Sequence, residues 1–348
     1  MQPSVSLFAC GSARALATIR RTRTAPQRRS CCPGVSVVSW KNIVVGIDLA
    51  GTGRSVSGAD DLSPACRTAL DAAVWLSRTF DSSLHVLTAL DVDARSEGLI
   101  LDARRSGRDC AIDRAARVLD SLVETRRGQD VRVSIGVTFG YPGVVLLDDV
   151  RRNDRDLVVV GSGGNGARDG GSVGGTILHL LRYCPIPVWV ARRTPAHGVR
   201  TVVAATTLDE PSPEVVRSAA SLARACAAEL HLLHVADDSA ERVLRAIDAD
   251  ESALGLYLRG RRSDADAATS RLIAEAATIG CNVTTRLSEG RPARVIVEGA
   301  RRAGADVVVL GASPPRDRAA TARRHTAEQV LAGIDSSLLA VPLFPAVT

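Results

Sequence analysis

Residues 156–161 read DLVVVG, and residues 306–311 read DVVVLG. Each is an unbroken apolar run that opens on an aspartate and closes on a glycine, the pattern of a strand buried on both faces of a sheet. Outward from this pair the correspondence continues. KNIVVGID at 41–48 is answered by RTVVAATTLD at 200–209, LHVLTALD at 84–91 by LHLLHVAD at 230–237, and PVWVA at 187–191 by LLAVP at 338–342. The offsets are 159, 146, 150 and 151 residues. Four matched strands in one order at a nearly fixed spacing point to a duplicated domain, each copy large enough to bury a core of its own.

Between the strands the apolar period lengthens. Ser63-Pro64 opens a helix expected to run to Phe80, with Ala69, Leu70, Ala73, Val74 and Leu76 on one stripe. In the first copy the remaining expected elements are strands at 42–48, 84–90, 131–137, 156–160 and 186–191 and helices at 108–126, 142–153 and 176–183. The second copy repeats the order, with strands at 200–205, 229–235, 281–287, 306–310 and 337–341. Its helices are expected at 212–227, 262–279, 292–303 and 325–332. Strands alternating with helices require right-handed crossovers and a parallel sheet. The expected division is a basic, disordered extension (1–40), domain 1 (41–192), a linker (193–199) and domain 2 (200–346).

Of the 348 residues, 45% are hydrophobic, 24% charged and only 3% aromatic. Ala, Val and Leu must therefore fill the cores, and no apolar run approaches the roughly 20 residues of a membrane-spanning helix. The net charge of +6 is misleading as a sign of nucleic-acid binding. Six arginines (Arg14, Arg20, Arg21, Arg23, Arg28, Arg29) and no acidic residue lie in residues 1–40, leaving 38 basic against 38 acidic residues beyond them. The domains are thus electroneutral and poor in stacking aromatics, which argues against nucleic acid as a partner. The extension reads either as an organelle transit segment or as a disordered tail on a start placed too far upstream. One lysine, Lys41, against 43 arginines suggests a GC-rich bacterial gene and favours the tail. Cys66, Cys110, Cys184, Cys226 and Cys281 stand singly among apolar residues, with no paired zinc-ligand spacing, so a reducing cytoplasm is expected.

In open parallel sheets ligands bind beyond the carboxyl ends of the strands. There the first copy places Asp48, the strand containing His85 and Val86, and a glycine loop: Gly161, two residues, Gly164, nine residues, Gly174, then Gly175 and Thr176. Glycines let backbone amides approach a phosphate, and the following helix start adds positive potential. Other readings of the loop fail on context. The GxGxxG match at 161–166 follows strand four rather than strand one, and a Walker A loop would need a lysine that is absent. His85, His231 and His234 read as packed core histidines, and His179 as a capping or solvent-facing residue. The loop 49–63 reads as a surface loop; closure over a ligand by Arg54 is the alternative.

The spacing of Gly161, Gly164 and Gly174 resembles that of nucleotide-binding members of the universal stress protein family. The resemblance implies two flavodoxin-like or Rossmann-like domains of the adenine-nucleotide alpha-hydrolase type, each a five-stranded parallel sheet flanked by helices. It also implies ATP or another adenine nucleotide as cofactor, with Mg2+ if ATP. Asp48 would then hold the nucleoside, Val86 line the base pocket, Val160 and Gly161 form the strand-four exit, and the glycines meet the phosphates. The family's Ser or Thr is Gly175 here; either Thr176 substitutes or the hydroxyl is lost. In the second copy Pro314, Arg324 and His325 replace the second glycine, the third glycine and the hydroxyl, and Thr206-Thr207 replaces the aspartate. No nucleotide is expected there.

The resemblance thus implies a cytoplasmic stress-response sensor or adaptor rather than an enzyme, with an unidentified protein partner. The domains are expected to pair as an internal pseudo-dimer, with a homodimer as a further possibility. The alternatives are a scaffold with both sites degenerate and a slow ATPase.

Overall fold

The computed structural model describes residues 5–8, 16–19, 37–49, 62–125, 130–163, 173–193, 198–207, 213–236, 239–247, 250–312 and 318–343. The chain divides into two compact units, Met1–Ser30 with Trp40–Pro195, and Cys31–Ser39 with Ala196–Thr348.

The first unit differs from the sequence expectation at its start. Two short strands, β1 (Val5–Phe8) and β2 (Leu16–Ile19), pair antiparallel within the segment expected to be disordered. Both are largely apolar segments with β-branched residues, and β2 is flanked by Arg14 and by Arg20 and Arg21. Trp40, also assigned to the tail, is 1% exposed and meets Phe80 edge to face at 4.8 Å. Trp40 thus packs with the core of this unit.

The sheet of this unit holds β3 (Asn42–Gly46), β4 (Ser83–Leu90), β5 (Arg132–Phe139), β6 (Leu157–Gly161) and β7 (Val188–Ala191). They are parallel in the order β5-β4-β3-β6-β7, and β2 lies antiparallel along β5. Counted within the unit this is 3-2-1-4-5, the Rossmann-like order rather than the flavodoxin order. The second unit repeats it with β8 (Thr201–Thr207), β9 (Glu229–Ala236), β10 (Val283–Glu289), β11 (Val307–Ala312) and β12 (Ser337–Pro342), ordered β10-β9-β8-β11-β12.

Helix α1 (Pro64–Phe80) shows how local chemistry sets the boundaries. Ser63 accepts a hydrogen bond from the Cys66 amide at 3.2 Å, Pro64 takes the first helical position, and Asp81 ends the helix at φ 50°. The chain's one lysine, Lys41, donates from Nζ to the Phe80 carbonyl at 2.6 Å, satisfying the helix end. Helices α2 (Ala94–Arg105), α3 (Ala111–Glu124), α4 (Pro142–Arg152) and α5 (Gly175–Tyr183) complete the unit. The sequence pattern concealed α2 because it buries no residue and so has no apolar stripe, whereas α3 buries Ile112, Ala115, Ala116, Leu119 and Leu122. The second unit has α6 (Pro213–Cys226), α7 (Ser239–Ala246), α8 (Glu251–Thr278), α9 (Pro292–Ala303) and α10 (Arg318–Gly333). Helix α8 starts eleven residues before the expected 262.

One device recurs in both units. The Asp156 carboxylate, just ahead of β6, accepts hydrogen bonds from the Lys41 and Asn42 amides at the start of β3. Asp306, just ahead of β11, accepts from the Arg200 and Thr201 amides at 2.7 and 3.1 Å. The aspartate that opens each apolar run therefore aligns the first and fourth strands of its sheet. Because each bond has a charged acceptor, Asp156→Ala and Asp306→Ala should each cost about 2 kcal/mol, with additive effects since they share no partner. Thermal unfolding midpoints unchanged in both variants would contradict this role.

Candidate functional site

The strand order reverses between β3 and β6, from which the chain proceeds to opposite edges of the sheet. The crevice beyond their carboxyl ends is where a doubly wound sheet admits a ligand. Asp48 lies two residues past β3 and is exposed, and Gly161 closes β6. The first turn of α1 joins them. The Asp48 amide donates to the Cys66 sulfur at 3.4 Å, and the Cys66 thiol faces the Asp48 carbonyl at 3.7 Å. Burial pushes the Cys66 thiol up, so it stays a neutral spacer. A Cβ on Gly161 would come within 2.2 Å of the Ala65 carbonyl oxygen, and one on Gly163 within 2.9 Å of the Ala65 methyl. No side chain fits at 161 without moving backbone. The bare strand exit exists because α1 starts against it.

Gly174, Gly175 and Thr176 form the second part of the site. Gly174 is the N-cap of α5 and makes no side-chain cap bond, so Gly175 and Thr176 stand in its first turn. Gly164 and the rest of 164–172, which link the two parts, lie outside the described residues, as does the loop 50–61 with Arg54. Val86 and Val160 occupy their expected strands, but they are 0% and 5% exposed. Both are closed to solvent.

Two residues that the sequence pattern did not single out belong to this region. A Cβ on Gly175 would lie 2.9 Å from the Tyr141 hydroxyl oxygen. The hydroxyl absent from position 175 is thus matched by another, reaching across from the N-cap of α4. Tyr141 is 41% exposed and edge-on to His179 at 6.0 Å. His179 also meets Tyr183 at 4.9 Å, and burial followed by the charge of Arg151 lowers its pKa, so it is a packing residue rather than a cap. The second residue is Thr88, two positions after Val86 and on the same face of β4. It is 1% exposed, and its hydroxyl has no hydrogen-bond partner among the described residues. Gly-Tyr-Pro at 140–142 signals only a helix start, so nothing local could have revealed Tyr141.

Ser134, His85 and Asp149 invite a hydrolytic reading that their geometry refuses. His85 Nδ1 faces Ser134 Oγ at 2.8 Å, while Nε2 stands 3.9 Å from Asp149, beyond hydrogen-bond range. This reverses the ring roles of a catalytic triad. Asp149 is held instead by Arg155 at 2.7 Å and Asn153 at 2.8 Å at the end of α4, while the His85–Ser134 bond joins β4 to β5. Here the core-histidine expectation holds.

The corresponding positions of the second unit carry different groups. His234 stands at the position of Thr88, is 0% exposed, and bonds through Nδ1 to the Thr206 hydroxyl at 2.9 Å. A Cβ on Gly311 would lie 2.4 Å from the Leu343 side chain, which occupies the space beside the strand exit. Helix α10 begins at Arg318, so the backbone of Arg324 and His325 lies inside a helix, where its amides are committed to the ladder.

Burial lowers the His234 pKa below its ordinary 6.5, so folding favours the neutral ring. The stability this contributes is full above the unfolded ring's value of about 6.5 and is lost as pH falls below it. The unfolding midpoint should therefore drop between about pH 7.5 and about pH 5.5, and His234→Gln should flatten part of that fall. His179 shifts in the same direction and keeps the rest. An unaltered pH profile in the variant would contradict the assignment.

The model of the universal stress protein family matches residues 40–192 and 198–342. Among solved structures, one from Pseudomonas aeruginosa UCBPP-PA14 named for this family is 17% identical and has a TM-score of 0.57, covering 87% of this chain and 93% of its own. A universal stress protein of Archaeoglobus fulgidus DSM 4304 is 15% identical with a TM-score of 0.56, covering 86% and 98%. Identities this low speak to the fold alone. A universal stress protein in complex with cAMP is 22% identical over 41% of this chain and 97% of its own, with a TM-score of 0.33. No curated protein matches the chain. With a family match over both copies, two Rossmann-like sheets and the glycine exit beside Asp48, the chain belongs to the universal stress protein family as a tandem, two-domain member.

Proposed function

We propose that the first unit binds an adenine nucleotide, ATP among them, in the crevice between β3 and β6, and that the chain acts as a stress-response sensor or adaptor governed by that binding. The observation carrying this reading is the bare exit at Gly161, pressed against the first turn of α1 with Asp48 beside it. Family membership over both copies supports it. In this reading the Asp48 carboxylate accepts hydrogen bonds from the ribose or base hydroxyls and amines. The buried Thr88 hydroxyl offers a polar contact at the floor. Backbone amides after Gly161 and in the first turn of α5 receive the phosphates, whose negative charge the helix dipole favours. Tyr141 supplies the hydroxyl that Gly175 lacks. Where the nucleotide is ATP, Mg2+ enters on its phosphate oxygens. The second unit takes no nucleotide and serves the adaptor role.

A second reading, a scaffold with both crevices silent, has one observation in its favour: the Tyr141 hydroxyl could plug the amino end of α5 as readily as serve it. Calorimetric titration of ATP, AMP, cAMP and adenosine into the full chain separates the two. Binding of ATP that weakens at least tenfold in Asp48→Ala supports the nucleotide reading. Tyr141→Phe should then weaken ATP about tenfold and leave adenosine unchanged, since only the phosphates lose a donor. Tighter ATP binding by Tyr141→Phe would identify the hydroxyl as a plug. No binding of any of the four at millimolar concentration would leave the scaffold reading.

A further inference from the structure

The second unit has a cavity of its own. It measures about 300 Å³ and opens at the carboxyl ends of β9 and β10, under α7 and the first half of α8. Ala236 and Glu289, paired in register, mark its strand side. The cavity exists because α8 is too long for the sheet it covers. At 1.5 Å per residue, 28 residues span roughly 42 Å. Only the second half carries a regular buried stripe: Ala265, Ala268, Leu272 and Ala276. The first half overhangs, and its inner side lines the cavity from Tyr257 to Ala265.

That overhanging segment reads GLYLRGRR at 255–262. Two glycines inside a helix each cost about 1 kcal/mol relative to alanine, so their neighbours should use the room they leave. At Gly255 this happens: the Arg259 guanidinium lies 3.4 Å from where a Cβ would stand. Arg261 donates from Nη1 to the Tyr257 hydroxyl at 3.1 Å, with its guanidinium carbon 5.8 Å from the ring centre. Arg262, exposed, completes three guanidinium groups on one lining. The same lining holds two carboxylates, Glu241 and Glu289, and Glu241 is already engaged by Arg245 at 2.8 Å. Positive charge is in excess, in guanidinium forks that match phosphate or carboxylate oxygens. Tyr257, Leu258 and Leu287 supply apolar surface beside it, and 300 Å³ is at the small end of ligand pockets.

We propose that the second unit binds a small organic anion here, a phosphate or carboxylate head on a flat apolar body, with Arg259 and Arg262 gripping the head and Tyr257 meeting the body. The proposal is independent of nucleotide binding in the first unit. It is tested by titrating phenyl phosphate, benzoate and the neutral benzyl alcohol into the full chain by calorimetry. At least one of the two anions should bind, benzyl alcohol at least tenfold more weakly, and the preferred anion identifies the head. Arg259→Gln and Arg262→Gln replace exposed side chains, and each should weaken the anion about tenfold while the unfolding midpoint stays near that of the unaltered chain. Failure of both anions to bind at millimolar concentration overturns the proposal, as does equal binding of benzyl alcohol. Phenyl phosphate captured at the amino end of α5 would be untouched by both substitutions, and that result overturns it too.

Discussion

The first unit depends on one close approach, the backbone of Gly161 against the Ala65 carbonyl at the start of α1. A side chain at 161 would stand 2.2 Å from that oxygen, so the strand exit must be bare. The same turn of α1 reaches Asp48 through Cys66, which fixes the exit of β3 beside the exit of β6. Ser63 and Pro64 set where α1 begins, and Asp156 sets how β3 and β6 align. The crevice thus follows from a helix cap, a carboxylate clamp and a missing side chain. Each is a local feature of the sequence whose consequence appears only when the sheet closes.

The second unit keeps the clamp but differs at the strand ends. Asp306 does for β8 and β11 what Asp156 does for β3 and β6, in two sheets that share one strand order. Beyond the strand ends the copies diverge. A buried histidine bonded to Thr206 replaces a buried threonine, Leu343 covers Gly311, and α10 continues through the position where α5 begins. The two copies thus share the features that hold a sheet together and differ in what stands beyond the strand ends.

What the sequence disclosed follows the same division. The apolar runs and their spacing gave both sheets, because burial on two faces leaves an unmistakable pattern. Helix α9 runs from Pro292 to Ala303, as expected, since Pro292 and Gly304 punctuate it. Helix α2 buries nothing and so escaped notice, and glycines at 255 and 260 hid the first half of α8. Within the site, Asp48 could be placed after β3 and Gly161 at the end of β6 from the apolar runs alone. Tyr141 and Thr88 were not legible, for opposite reasons: one acts across a tertiary gap to Gly175, and the other is a common strand residue whose hydroxyl is conspicuous only once buried. Val86 lies in its expected strand and is fully buried, a depth the sequence could not show because it gives which residue follows which and not how deep each lies.

The central claim is that one crevice is open to a nucleotide and its duplicate is closed. Hydrogen–deuterium exchange of the full chain with and without saturating ATP tests it most directly. The account predicts slower exchange at the amides of 47–49, 161–163 and 175–178, with 204–207 and 311–312 unchanged. Protection in the second set, or in neither, would contradict it.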